Sequence, residues 1–194
     1  AYQLPENELS GQLLPSDEKG IIHNINAIDE LRFIPHKKSF VPQKYISPEL
    51  AKLILYFLGF AVFWLLLGTT VGEYLGIKFV APDADHVSWL SFGRLRPVHT
   101  NMVFWGWASF AMVGLSYYVI PRVSNVGIHS IKIGWYSLIL MNAAVLLGTI
   151  SLMAGIDNAD GEYREYIWPI MALFAIAIIL TLYNFLMTVA KRTT

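Results

Sequence analysis

His99 is the residue whose type and place most invite chemistry. It lies inside Pro97–Ile120, a stretch with no Asp, Glu, Lys or Arg. An imidazole in such surroundings is costly to desolvate, and a ligand role is the default hypothesis for it. Arg96 stands three residues earlier. On a helix an i, i+3 pair shares one face, so both side chains are expected to enter the same inter-helical space. A haem accounts for the pair: a neutral imidazole supplies an axial nitrogen to iron, and a guanidinium meets an anionic propionate with a two-pronged hydrogen bond. An interfacial histidine bonded to a neighbouring carbonyl is the competing reading. Gly106 and Gly114, further along near the same face, would let a flat macrocycle or another backbone approach closely. Trp105, Trp107, Tyr117 and Tyr118 read as ordinary lipid-facing and belt aromatics.

A second pair is Glu162 and Glu165, again i, i+3 and at the start of an apolar run. Negative charge is favoured at a helix start, and hard carboxylate oxygens suit Ca²⁺. The alternative is a solvated acidic turn with Arg164 as a surface partner.

The elements that must position these residues follow from composition. Of 194 residues 55% are hydrophobic and 14% charged, against about 25% charged in ordinary soluble domains. Leu53–Gly72, Pro97–Ile120, Ile133–Ile156 and Ile167–Ala190 carry no charge and make up nearly half the chain. About 20 apolar residues cross a ~30 Å hydrocarbon core as a helix. The expected fold is therefore all-α and integral to a membrane, with four spans at about 50–76, 97–121, 131–156 and 166–190. Pro97 and Pro169 are placed at span starts, where a missing N–H costs nothing, and Pro121 at a span end. A soluble globule and a disulfide-stapled domain are excluded. Net charge is zero, so no nucleic acid partner is implied. There is no cysteine, so any metal must be held by His, carboxylate or backbone oxygen.

Residues 1–48 form a polar leader with five of the nine prolines and no uncharged run of signal-peptide length. Within it Ile21, Ile25, Ile28 and Leu31 recur at helical spacing, as in a short amphipathic helix on a membrane or partner; a partly disordered tail fits equally. The membrane domain occupies 49–194. Ten of the fourteen Lys and Arg fall on the side of the termini and the second connection, which predicts both termini in the cytoplasm. Asn142 and Asn184, within spans, read as interhelical hydrogen-bonding groups.

The run Arg94-Leu-Arg96-Pro-Val-His99-Thr-Asn, continued through Trp105-Gly106-Trp107 to Tyr117-Tyr118-Val-Ile-Pro-Arg122, resembles the second transmembrane helix of haem–copper oxidase catalytic subunits. The cbb3-type cytochrome c oxidase branch and the related cytochrome-c-dependent nitric oxide reductase are the nearest in pattern. Gly161-Glu162-Tyr163-Arg164-Glu165-Tyr166-Ile-Trp168-Pro169 resembles the same family's opening of helix four, and Thr188-Val-Ala-Lys191-Arg192 its close. The resemblance covers about residues 50–192. It implies the first four helices of a twelve-helix bundle in a bacterial inner membrane. It also implies His99 as an axial ligand of low-spin haem b and Arg96 beside the haem propionates. Glu162 would match a calcium-binding carboxylate, and Glu165 a carboxylate linked to proton movement. Ile167 and Met171 depart from acidic positions of cbb3-type chains.

What the family takes from later helices is missing: a second axial His, three copper-binding histidines and a redox tyrosine. The other histidines, His23, His36, His86 and His129, lie in the leader and connections. The resemblance thus implies that the haem–copper centre sits on the rest of the catalytic subunit or on a complementary chain. Cytochrome c-type subunits would be further partners. A fragment and a naturally split subunit both fit, as do a nitric oxide reductase part and a non-catalytic assembly subunit.

Overall fold

The computed structural model describes residues 46–158 and 161–192. The expected leader helix, with His23 and His36, lies outside them. The described residues form four long helices and no strand. They are α1 (Pro48–Val80), α2 (Phe92–Val123), α3 (Ile131–Ala154) and α4 (Trp168–Val189). All four are long and apolar enough to cross a membrane. This is the all-α fold that the charge-free runs predict. The connections 81–91 and 155–167 share one end of the bundle, here the upper end; the connection 124–130 is at the lower end.

Helix starts and stops have local causes. The Ser47 hydroxyl accepts the Leu50 N–H at 3.1 Å, and Pro48 fills the first turn of α1. Ser130 caps α3 through the Ile133 N–H. At the other end of α3, Gly155 turns left-handed with φ +81°, and the Ile156 N–H reaches back to the Ser151 carbonyl. Arg94 completes this stop by donating to the Met153 carbonyl at 3.0 Å. Its guanidinium lies where a Gly155 side chain would begin. Pro169 stands in the first turn of α4, as expected.

Two prolines do not bound α2. The helix begins at Phe92, so Pro97 is inside it, and Pro121 is inside its last turn. The N–H that Pro97 lacks would have bonded the Gly93 carbonyl, on an exposed turn where water can serve instead. Between Met102 and Ala108, α2 widens to a π-helical turn, and the Ser109 hydroxyl donates to the Phe104 carbonyl five residues back.

α1 and α2 run antiparallel in close contact because glycine stands at each crossing. A Cβ on Gly114 would lie 2.9 Å from Phe57, one on Gly106 2.6 Å from Trp64, and one on Gly68 3.0 Å from Val103. Such small residues let spans approach where no hydrophobic effect drives them together. Polar groups add specific ties. The Trp64 indole donates to Asn142 Oδ1 at 3.0 Å, joining α1 to α3. Asn184 of α4 accepts the Ser130 N–H, donates to the Ser130 carbonyl and reaches the Tyr117 hydroxyl. Both asparagines are interhelical hydrogen-bonding groups, as their position in the spans suggests. Outward-facing Leu55, Leu66, Met112 and Ile179 are each more than 60% exposed, the pattern of a surface meant for lipid or further helices.

Candidate functional site

His99 lies three residues before the start of the π turn at Met102 and is partly buried. Its Nδ1 is 2.7 Å from the Gly68 carbonyl oxygen of α1. A carbonyl only accepts, so Nδ1 carries the proton and the lone pair of the neutral ring is on Nε2. The ring lies against Gly72, one turn further along α1: a Cβ there would come within 2.6 Å of Cε1 and 2.7 Å of Nδ1. The competing readings of His99 are thus compatible. The bond to a carbonyl is present, and it leaves free the nitrogen an axial ligand uses.

Arg96 and His99 part company despite their spacing. His99 turns to α1, whereas Arg96 extends to the 155–167 connection and bridges Glu162 at 2.6 Å. Both partners of that bridge are about half exposed, at 53% and 49%. Glu165 behaves differently. It is 9% exposed and accepts from Asn101 Nδ2 at 2.9 Å. The same Nδ2 donates to the Pro97 carbonyl at 2.8 Å, which fixes how the amide faces. A solvated acidic turn therefore describes Glu162 and not Glu165.

The loop between these carboxylates is clamped onto the π turn. Trp105 donates its indole N–H to the Tyr163 carbonyl at 3.3 Å, and the Phe104 and Tyr163 rings lie 5.0 Å apart. Tyr163 itself sits at φ +67°, a strained setting for an aromatic residue that persists only where neighbours hold it. Trp105, which the sequence suggests is a belt aromatic, is thus part of the site's frame. Of the two uses expected for Gly106, the approach of a neighbouring helix is the one the geometry presents, with Trp64 filling the space.

Gly68, Gly72 and Asn101 join the site through the fold, without standing out in the sequence. The first two carried a signal, their four-residue spacing within a charge-free span. Asn101 and the π turn carried none, since only tertiary contacts select them.

At the same end, Lys78 is 6% exposed and bridges Asp85 at 2.7 Å; Tyr74 and the Val87 N–H also donate to that carboxylate. These three donors hold the Asp85 pKa down to about 2. His86 lines a cavity of about 290 Å³ beside the same pair, and His129, at the lower end, bonds Lys191.

The geometry at His99 fits a haem axial ligand: an imidazole oriented through Nδ1, with Nε2 making no hydrogen bond among the described residues. A calcium site is less complete, because Arg96 occupies the Glu162 carboxylate and Glu165 turns inward to Asn101. Among the described residues no three His, Asp or Glu gather as a metal-binding group.

Comparison with known proteins bears on the family. Residues 52–194 match the family described as Cytochrome C and Quinol oxidase polypeptide I. Over 142 residues the chain is 31% identical to the Cbb3-type cytochrome c oxidase subunit CcoN1 of Stutzerimonas stutzeri, covering 73% of this chain and 30% of that protein. It is 28% identical over 131 residues to a cytochrome c oxidase subunit 1 homolog of Agrobacterium tumefaciens, covering 68% and 24%. A nitric oxide reductase subunit of Stutzerimonas stutzeri is 33% identical over 101 residues, covering 52% and 19%. The chain spans less than a third of the length of these curated relatives.

Proposed function

The chain belongs to the Cytochrome C and Quinol oxidase polypeptide I family, and we propose that within it the chain supplies one wall and one axial ligand, His99, to a low-spin haem b of a respiratory terminal oxidase. Bound there, a haem supplies one-electron transfer between ferrous and ferric iron. The residues of this chain do the rest. Gly68 accepts the Nδ1 proton and thereby directs Nε2. Arg96, at the exposed upper end, presents a guanidinium for a propionate while sharing its charge with Glu162. Electrons would arrive from cytochrome c-type subunits and pass to an O₂-reducing haem–copper centre on the rest of the catalytic subunit or a complementary chain. The setting is a multi-pass protein of the bacterial inner membrane with both termini cytoplasmic, in keeping with the basic asymmetry and the bacterial relatives. Calcium at Glu162 and a proton-linked role for Glu165 belong to the same reading.

The observation that carries this proposal is the oriented, Nε2-free His99 in a chain of this family. Likeness to the nitric oxide reductase polypeptide favours a second reading in which the acceptor is nitric oxide. A non-catalytic assembly subunit is the third. A reduced-minus-oxidised absorption spectrum of the complex carrying this chain, with parallel oxygen and nitric oxide uptake, tests all three. A b-type α band with oxygen uptake supports the oxidase, the same band with nitric oxide uptake supports the reductase, and no band supports the assembly role.

A further inference from the structure

We propose that the Gly68–Gly72 pair of α1 is the positioning element for His99, so that the direction of Nε2 is set by α1 rather than by the helix that carries the histidine. The inference rests on the haem reading above and adds residues to it. Two independent contacts converge on one ring. The Gly68 carbonyl holds Nδ1 at 2.7 Å, fixing the rotation of the imidazole about its own bond. Gly72, a turn away on the same face, has no side chain, and the ring fills the space that a Cβ would take at 2.6–2.7 Å. Ordinary carbon–carbon contact begins near about 3.5 Å. Any side chain at position 72 must therefore push the ring away by a large fraction of an ångström, and that movement lengthens the bond to Gly68 beyond good hydrogen-bond range.

The fit is local to position 72. Gly76, the next glycine at the same four-residue spacing, meets nothing within 4 Å. The missing side chains of Gly68 and Gly114 face Val103 with Met102 and Phe57 respectively, so there the lack of a Cβ serves helix packing, and Gly68 acts on His99 through its carbonyl alone. Position 72 is where the ring of His99, and no backbone or other side chain, is the nearest neighbour. A ligating histidine whose N–H partner is weakened is a poorer electron donor, and loss of such partners typically lowers metal affinity 10–100-fold. The ferric state, which depends more on ligand donation, suffers most.

The test is Gly72→Ala in the assembled complex, read by haem b per complex, the low-spin ferric EPR signal and the midpoint potential. The expected result is at least a tenfold loss of haem retention, with an altered low-spin signal and a raised midpoint in the remainder. Gly76→Ala should leave all three unchanged. Gly114→Ala, crowded at 2.9 Å but against Phe57, should lower yield while keeping the signal and midpoint of what assembles. A wild-type signal and midpoint in Gly72→Ala, with the signal lost in His99→Ala, would overturn the positioning role and leave the haem reading standing. A signal intact in His99→Ala would overturn the haem reading itself. Should Gly72→Ala fail to assemble, thermal unfolding of the 194-residue chain decides. Crowding of the ring predicts that Gly72→Ala destabilises much less in a His99→Ala background, and additive effects would refute it.

Discussion

Arg96 and Glu162 are each about half exposed, so their 2.6 Å bridge adds at most about 1 kcal/mol to stability. Its consequence is electrostatic. A cation near a haem favours the ferrous state, and an anion favours the ferric. Arg96→Gln should therefore lower the haem b midpoint and Glu162→Gln should raise it, while the double variant returns close to the starting value. Potentiometric titration of the complex checks this, and shifts of the same sign would contradict it. At this scale much was legible. Residue type and an apolar setting pointed to His99. Glu162 and Glu165 were expected at a helix start, but α4 begins only at Trp168 with no acidic residue in its first turn, so both stand in the 155–167 connection. The divergence of Arg96 from His99 and the burial of Glu165 were not legible. Spacing places two side chains on one face, but whether each turns inward depends on partners such as Asn101 and Gly68, far away in sequence.

The four helices announced themselves through charge-free runs of about 20 residues or more, because a single segment crossing lipid satisfies all its backbone hydrogen bonds within itself only as a helix. The start of α2 at Phe92 and its π turn at Met102–Ala108 did not, since proline rules locate ends only when no tertiary contact overrides them. Two elements make direct predictions. Asn184 is fully buried and ties α4 to Ser130 and Tyr117. Asn184→Leu strands those groups and should destabilise the detergent-solubilised chain by about 2 kcal/mol, read by thermal unfolding. At the upper end Asp85 tethers the 81–91 connection to Lys78 and Tyr74. Its pKa is depressed from 3.8 to about 2, so its stabilising contribution is complete above about pH 4 and is lost as pH falls through about 2. Limited proteolysis in the 81–91 connection should rise over that interval. Asp85→Asn should show the raised cleavage already at neutral pH.

As a whole molecule the described bundle offers one oriented histidine at its upper end and a broad apolar surface facing outward. The basic asymmetry predicts both termini on the cytoplasmic side, and protease protection in oriented vesicles checks it. Cleavage of residues 1–48 only from the opposite face would contradict it. Because bis-histidine ligation needs a second residue, the isolated 194-residue chain should hold haem weakly, and the full signal should appear only in the assembled complex. The central claim is ligation by His99, and the most direct measurement is the low-spin haem b signal per complex in His99→Ala set beside Arg96→Gln. An axial ligand sets the spin state, so His99→Ala is predicted to lose haem b or leave it high-spin, while Arg96→Gln keeps it low-spin. A wild-type low-spin haem b in His99→Ala would contradict the account.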